Sequence, residues 1–436
     1  MLLIYIPKIT PRNRYTIKTV FNHLLQLSEF QLTSDVDRFS EYVGEKLTYA
    51  KKPLGDELFI YASGLLEKKG IDEQKIEFGE FDGLITLFAN KTKSALPYDI
   101  FSAVFYMLSR YEEYLPHRRD HYDRFIAKES LAYKMGFLQT AVVDRWALQL
   151  KKVILAKFPN TAFKPRTYSY IPTIDIDNAF AYKEKGLIRT MGGFFKNLMK
   201  LNFRQIKDQI LVLLDRKSDP YDTYNYQRNI QKKYNLHPIY FILLGDYGFN
   251  DKNISYEKRN FQSLIKNLAD YAQIGIHPSF GSNQKTENLH KEILRLEEIV
   301  KRDITKSRQH FLKLSMPETY RNLVKEDILE DYTMGFANEL GFRAGTCSPY
   351  PFYDLDEEVE CKLTVFPFQV MESTLRYYQN IGITESIRAI KAIIDEVKAV
   401  DGTFISLWHN ESLGENSDWI GWTKVYEEMI AYALIK

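Results

Sequence analysis

The chain has 436 residues, of which 45% are hydrophobic and 27% charged, so it can form packed cores and is long enough for two domains. Its net charge of +2 argues against a nucleic-acid-binding protein, and two cysteines are too few for a disulfide scaffold. The sequence contains no run of about 20 apolar residues, so no membrane span is predicted. Residues 1–7 lack the basic start and long apolar core of a signal peptide. We therefore expect a first β-strand there and a cytoplasmic protein.

Residues 1–163 are predicted to form an N-terminal α/β domain whose role the sequence does not indicate. Apolar runs favour strands at 2–6 and 84–88, with shorter candidates at 38–44 and 46–51, and helical spacing occurs at 16–27, 99–115 and 142–158. A polar loop over residues 116–125 contains His117, His121 and Arg124. This loop either borders a ligand site or is a solvated linker. The Pro- and Asn-containing stretch 159–166 marks the predicted boundary.

Strands and helices alternate over residues 164–436, the second predicted domain. The predicted strands lie at 170–176, 236–244, 272–276, 308–314, 365–371 and 403–408, and the helices at 256–271, 289–300, 317–324 and 384–400. This alternation favours a parallel sheet or barrel with the helices outside. A helical insertion is predicted near 187–226. Its Lys200, Arg204 and Lys207 either form a solvated face or meet an acidic or membrane-proximal partner.

Polar residues stand at several predicted strand ends, where parallel barrels build their active sites. Asp175 and Asp177 are two residues apart and therefore point to the same face of their strand. Adjacent carboxylates repel each other unless a cation or a shared proton relieves them. His277 follows the strand predicted at 272–276, and Asp177 and His277 together predict a divalent metal site of oxygen and nitrogen ligands, both of which zinc accepts. His310 is either the third ligand or a structural histidine, and Asn178 and Asn283 are the alternative third ligands.

Four short stretches occur in order along roughly residues 168–436: Thr173-Ile174-Asp175 with Asp177, Ile274-Gly275-Ile276-His277, Phe342-Arg343 with Pro349-Tyr350, and Ile405-Ser406-Leu407-Trp408-His409. Together they resemble the motifs of the NodB-homology polysaccharide deacetylases, carbohydrate esterase family 4. The sequence departs from the family where Gly281 occupies the place of the second metal-binding histidine. In the fourth motif the nearest acid is Glu372. Residues 308–310 and 333–337 are similar to a bacterial subgroup with an extra N-terminal domain.

The resemblance implies a distorted (β/α)7 deacetylase-type barrel preceded by the additional α/β domain. It also implies a metal-dependent hydrolase that removes an N-acetyl or O-acetyl group from a carbohydrate or glycan precursor, with zinc as the expected metal. Asp175 is expected to be the general base, oriented by Arg343, and His409 the general acid. The expected metal ligands are Asp177, His277 and His310. The expected substrate contacts are Asn178, Tyr350 and Trp408. Two alternatives remain open, a degenerate glycan-binding or scaffold module and a hydrolase of other non-peptide C–N bonds, because one fold hosts many functions.

Overall fold

The computed structural model describes residues 1–283 and 285–435. Its first part contains six strands: β1 (Leu2–Tyr5), β2 (Phe30–Thr33), β3 (Lys46–Ala50), β4 (Leu58–Tyr61), β5 (Phe78–Phe81) and β6 (Leu84–Leu87). The first four form a parallel sheet in the order β2-β1-β3-β4, and the last two form a separate antiparallel hairpin. All four residues of β1 are buried, which explains the unbroken apolar run at the start of the sequence.

Six helices accompany these strands: α1 (Pro11–Lys18), which continues as a π-helical segment (Thr19–Leu24), α2 (Val36–Glu41), α3 (Ile100–Leu108), α4 (Tyr111–Tyr114), α5 (Leu131–Lys134) and α6 (Val142–Lys157). The strand predicted at 38–44 is wrong. The Asp35 side chain accepts the backbone N–H of Arg38 and starts α2 there. The helix predicted over 99–115 begins at its Asp99 cap but breaks after α3, where Arg110 adopts a left-handed backbone conformation.

The second part is built on nine strands: β7 (Ser169–Ile176), β8 (Ile239–Ile242), β9 (Gln273–Ile276), β10 (Lys306–Ser307), β11 (Glu330–Asp331), β12 (Tyr350–Asp354), β13 (Val359–Val365), β14 (Val370–Met371) and β15 (Thr403–His409). They form one sheet in the order β12-β13-β11-β10-β9-β8-β7-β15-β14, in which only β12 runs antiparallel to its neighbour. No ladder among the described residues joins β12 to β14. The described residues thus form a mainly parallel α/β sheet, and its strand order does not confirm the predicted distorted (β/α)7 barrel.

The strand register brings the polar strand ends together. β7 lies between β15 and β8, with His409 opposite Asp175 on one side and Phe241 opposite Asp175 on the other. β9 and β10 continue the sheet in the same direction. The C-terminal ends of these strands therefore meet at one edge, as a parallel arrangement requires.

Eight helices belong to this part: α7 (Gly186–Met199), α8 (Phe203–Leu213), α9 (Tyr224–Tyr234), α10 (Arg259–Ala269), α11 (Thr286–Val300), α12 (Glu318–Lys325), α13 (Ile383–Ala399) and α14 (Trp422–Leu434). The strand predicted over 308–314 is wrong. β10 ends at Ser307, and His310 opens a short turn in which Phe311 and Leu312 have positive φ angles. Within the described ranges, no helix is long and apolar enough to span a bilayer.

The two parts share a continuous hydrophobic core. One cluster of buried side chains runs from Leu2 in β1 to Val365 in β13. Polar contacts reinforce it: the Tyr15 hydroxyl donates to the Pro351 carbonyl at 2.9 Å, and Arg343 pairs with Glu113 at 2.6 Å. The domain boundary at residue 163 stays a prediction, and the N-terminal part is packed firmly against the sheet that carries the polar strand ends.

Candidate active site

Asp175 lies at the end of β7 and is almost completely buried. Its Oδ1 accepts a hydrogen bond from Nη1 of Arg308 at 3.0 Å. Arg308 is also buried, and its Nε donates to the Tyr332 carbonyl at 3.0 Å. A guanidinium held at two points orients the carboxylate that it contacts.

Asp177, His277 and His310 form a compact cluster beside Asp175. One ligand-type atom from each lies within 4.8 Å of the others. His277 Nε2 is 3.2 Å from Asp177 Oδ1, and His310 Nε2 is 3.4 Å from Asp177 Oδ2. The first contact lacks hydrogen-bond geometry, so among the described residues Asp177 Oδ1 is buried without a partner. Two imidazole nitrogens and a carboxylate this close together could hold a divalent cation.

The outer nitrogens of both histidines are anchored by acceptors. His277 Nδ1 contacts the Arg308 carbonyl, and His310 Nδ1 contacts Asp251 Oδ1 at 2.8 Å. Asp251 in turn accepts the backbone N–H groups of Phe280 (2.8 Å) and Gly281 (3.0 Å). In the neutral tautomer with Nδ1 as donor, each Nε2 would present a lone pair beside Asp177, which is the usual outer arrangement of metal-binding histidines. Gly281 thus supports His310 through its backbone N–H, by way of Asp251.

The charges of this cluster act on Asp177. Burial alone would raise the pKa of Asp177, but the field of protonated His310 and the proximity of His277 and His409 outweigh it and hold the pKa well below its usual range. The same carboxylate, together with Asp251, raises the pKa of His310 to about 9 despite burial. The negative charge of Asp177 and the positive charge of His310 therefore stabilise each other.

His409 faces the cluster from the end of β15. Its Nδ1 lies 2.6 Å from Oε1 of the fully buried Glu372, and its Nε2 lies 3.9 Å from Asp177 Oδ2. Burial lowers the pKa of His409, yet the Glu372 carboxylate outweighs burial and raises that pKa well above its usual value. His409 is thus held by one nitrogen and presents the other to the site.

These groups line one cavity of about 240 Å³. Besides Asp175, Asp177, His277, His310 and His409, its walls include aromatic and apolar side chains and one arginine of the N-terminal part, namely Arg124, Phe311, Leu312, Ala337, Met371, Tyr377, Tyr378 and Leu407. Arg124 donates to the Phe311 carbonyl at 2.8 Å and to the Tyr378 hydroxyl at 3.2 Å. The loop over 116–125 therefore borders the cavity, which favours the first of its two interpretations.

The structure places Arg343 away from Asp175. Arg343 was expected beside Asp175, but its Nε and Nη2 donate to Glu113 at 3.0 and 2.6 Å. Arg308 occupies the predicted position, and it precedes His310 by two residues directly after β10. Only that proximity in sequence could have indicated it.

Two expected substrate contacts also lie elsewhere. Trp408 is fully buried and packs against Tyr426, with ring centroids 4.9 Å apart, on the side of β15 opposite His409. Strand alternation predicts this, because neighbouring residues point to opposite faces. Tyr350 is buried in β12 and does not line the cavity. The Asn178 carbonyl accepts from Asn410 at 3.0 Å, next to His409, and the substrate role of Asn178 stays a prediction.

Sequence reasoning missed three supporting residues. Arg308 and Asp251 were given no role, and Glu372 was named only as the nearest acid of a weak motif. Asp251 and Glu372 act through histidines 59 and 37 residues away, and no local spacing indicates such pairs.

Residues 2–159 match the model of a family of unknown function, DUF7033. A comparison with curated protein sequences finds no significant match. Among solved structures, a putative polysaccharide deacetylase from Mycobacterium smegmatis is 15% identical, with 62% of this chain and 84% of that chain covered and a TM-score of 0.41. A probable polysaccharide deacetylase from Pseudomonas aeruginosa PAO1 is 12% identical, with 64% and 90% covered and a TM-score of 0.37. The polysaccharide deacetylase Bc1974 from Bacillus cereus is 10% identical, with 61% and 88% covered and a TM-score of 0.29.

Proposed function

We propose that this protein is a metal-dependent hydrolase that removes an acetyl group, N-linked in the first instance, from a carbohydrate or glycan precursor. One observation carries the proposal: a carboxylate, a three-residue ligand cluster and a carboxylate-bound histidine line the same small cavity. Amide hydrolysis needs these three functions, a base, an electrophile and an acid, within reach of one carbonyl group. A module that only binds glycans needs none of them.

Asp177, His277 and His310 would hold the cation, and their one oxygen and two nitrogens suit zinc. The partnerless, buried Oδ1 of Asp177 supports this assignment, because a buried carboxylate oxygen normally has a partner. When bound, the cation supplies Lewis-acid polarisation of the acyl carbonyl.

Asp175 is the proposed general base that takes a proton from the attacking water. Arg308 fixes its orientation through Oδ1, which leaves Oδ2 toward His277 at 3.8 Å and the cavity. His409 is the proposed general acid: Glu372 fixes Nδ1, and Nε2 delivers a proton to the departing amine. Base and acid are neighbours across the β7–β15 ladder, so they reach one scissile bond from adjacent strands.

The test uses the purified full chain, stripped of metal and reloaded with zinc. We expect bound zinc near one equivalent, lower zinc content in His277→Ala and His310→Ala, and unchanged content in His290→Ala, whose imidazole is exposed and pairs with Glu326. Asp175→Asn should keep zinc but lose about a hundredfold or more of the acetate release from N-acetylglucosamine oligomers.

Several outcomes contradict the proposal. A wild-type protein that takes up no divalent ion after reloading would favour the glycan-binding alternative. Zinc loss in His277→Ala alone would remove His310 from the ligand set. Full acetate release by Asp175→Asn would show that Asp175 is not the base.

A further inference from the structure

The helical insertion after β7 exposes an apolar face to solvent. α7 and α8 form a hairpin in which Asn202 caps α8 and the Gln209 side chain donates to the Thr190 carbonyl at 3.0 Å. α7 exposes six large apolar side chains, Leu187, Ile188, Met191, Phe195, Leu198 and Met199. Spacings of four, four and three residues place most of them on one side of the helix. An amphipathic helix of a folded protein normally buries this stripe, and here it faces outward.

The second helix and the turn extend the same surface. Leu201 is 71% exposed and Phe203 62% exposed, and Ile210, Leu213 and Leu214 are also exposed. Isolated exposed apolar residues are common on proteins, but a contiguous set of this size marks an interaction site.

A neighbouring loop adds aromatic side chains. Tyr247 is 60% and Phe249 91% exposed. The Arg189 guanidinium of α7 lies 4.1 Å from the Tyr247 ring centroid and donates to the carbonyls of Lys252 and Asn253 at 2.9 and 2.8 Å. We call the exposed apolar residues of α7, the turn and α8, together with Tyr247 and Phe249 of the loop that Arg189 contacts, the hairpin surface.

The charge of the hairpin differs from that of the rest of the chain. Residues 186–217 contain seven Lys or Arg and two Asp, a net charge of +5, while the whole chain carries +2 and the remainder therefore −3. Lys200, Arg204, Lys207, Arg216 and Lys217 are all exposed. Basic side chains around an outward apolar stripe are typical of helices that lie in the interface of an anionic bilayer.

We propose that the hairpin surface docks this protein on an anionic lipid bilayer, with α7 and α8 in the membrane plane. α7 has 14 residues, about 21 Å at 1.5 Å per residue, and cannot cross a hydrocarbon core of about 30 Å. An exposed Tyr side chain suits the headgroup region, and an exposed Phe side chain suits the boundary with the acyl chains. A second copy of this chain is the poorer occupant, because a symmetric contact would bring two surfaces of charge +5 together.

The docking does not depend on the reaction proposed above, and vesicle co-sedimentation of the full chain tests it. We expect binding to phosphatidylcholine vesicles that contain phosphatidylglycerol, weaker binding to pure phosphatidylcholine, and loss of the difference at high salt. Lys200→Glu/Arg204→Glu should weaken binding to the anionic vesicles about tenfold or more. Ile188→Gln/Phe195→Gln should weaken it comparably by removing inserted apolar area.

Val43→Gln is the matched control, because Val43 is 96% exposed and lies outside the hairpin surface. It should leave vesicle binding unchanged. All substituted side chains are exposed, so unchanged melting curves will separate lost docking from lost folding.

Three results would overturn the proposal. The first is no binding to anionic vesicles at low salt. The second is equal binding to both vesicle types that Lys200→Glu/Arg204→Glu leaves unchanged. The third is a dimer, measured by light scattering, that Ile188→Gln/Phe195→Gln converts to a monomer, because a second copy would then cover the surface.

Discussion

Arg308 and Arg343 are both buried in the second part of the chain, and each donates to one buried carboxylate. Asp175, the partner of Arg308, lines a cavity together with three histidines. Glu113, the partner of Arg343, is enclosed by a second buried arginine, Arg110, and comes from the N-terminal part. The same pair of residue types can therefore orient a carboxylate that lines a cavity or join two parts of a chain. The surroundings of the carboxylate, and not the pair itself, distinguish the two cases.

The largest expected effect is on stability. Arg343→Met leaves Glu113 buried with only Arg110 as partner, and breaking a buried pair typically lowers the free energy of unfolding by about 3–5 kcal/mol. Urea unfolding of Arg343→Met and the wild type measures this difference in the free energy of unfolding. Acetate release per folded molecule should stay at the wild-type level, because Arg343 does not touch Asp175.

Arg145→Met is the matched control, since Arg145 also joins the two parts, through Glu396, but is 33% exposed. It should cost less than about 1 kcal/mol. Equal costs for the two variants would contradict the structural role given to Arg343.

Acid should weaken the same contact. Burial would raise the pKa of Glu113, but Arg343 and Arg110 outweigh it and lower the pKa from 4.5 to about 2. A carboxyl group with a depressed pKa in the folded state contributes its full stability above pH 4.5 and loses it as the pH falls toward 2. The shift corresponds to about 3 kcal/mol, lost progressively over that window.

Urea midpoints measured from neutral pH down to about pH 3 check this sign. Glu113→Gln removes the titrating group and should flatten the profile in this window. An unchanged profile in that variant would assign the acid sensitivity to other carboxyl groups.

Arg308→Met tests the Arg308–Asp175 pair by its effect on activity. Asp175 would lose the donor that fixes its orientation, and we expect acetate release to fall about a hundredfold. Zinc content should change little, because His277 contacts the backbone carbonyl of residue 308 and not its side chain. Wild-type activity in Arg308→Met would remove this pair from the catalytic machinery.

The sequence predicts some of these side-chain positions and not others. Strand alternation placed Asp175 and Asp177 on one face, and the ends of parallel strands predicted that His277 and His409 would lie near them. The same alternation predicts that Trp408 points away from His409. The partner of each arginine was not predictable, because Arg308 and Arg343 lie outside strands and helices and their carboxylates are 133 and 230 residues distant. Pairing of that kind depends on tertiary packing, which periodicity does not encode.

The smallest expected effect comes from Tyr350, whose pKa is raised by burial and influenced by nearby Arg110 and Glu113. Its buried hydroxyl has no hydrogen-bond partner in the described part of the chain. Tyr350→Phe removes an unsatisfied polar group without changing the ring, so we expect a gain of about 1 kcal/mol in the free energy of unfolding and no change in KM for the glycan. A raised KM would restore Tyr350 to the substrate contacts expected from the sequence. A loss of stability would mean that the Tyr350 hydroxyl forms a hydrogen bond in solution. Because Arg110 and Glu113 lie nearby, that bond would extend the polar network around the Arg343–Glu113 pair.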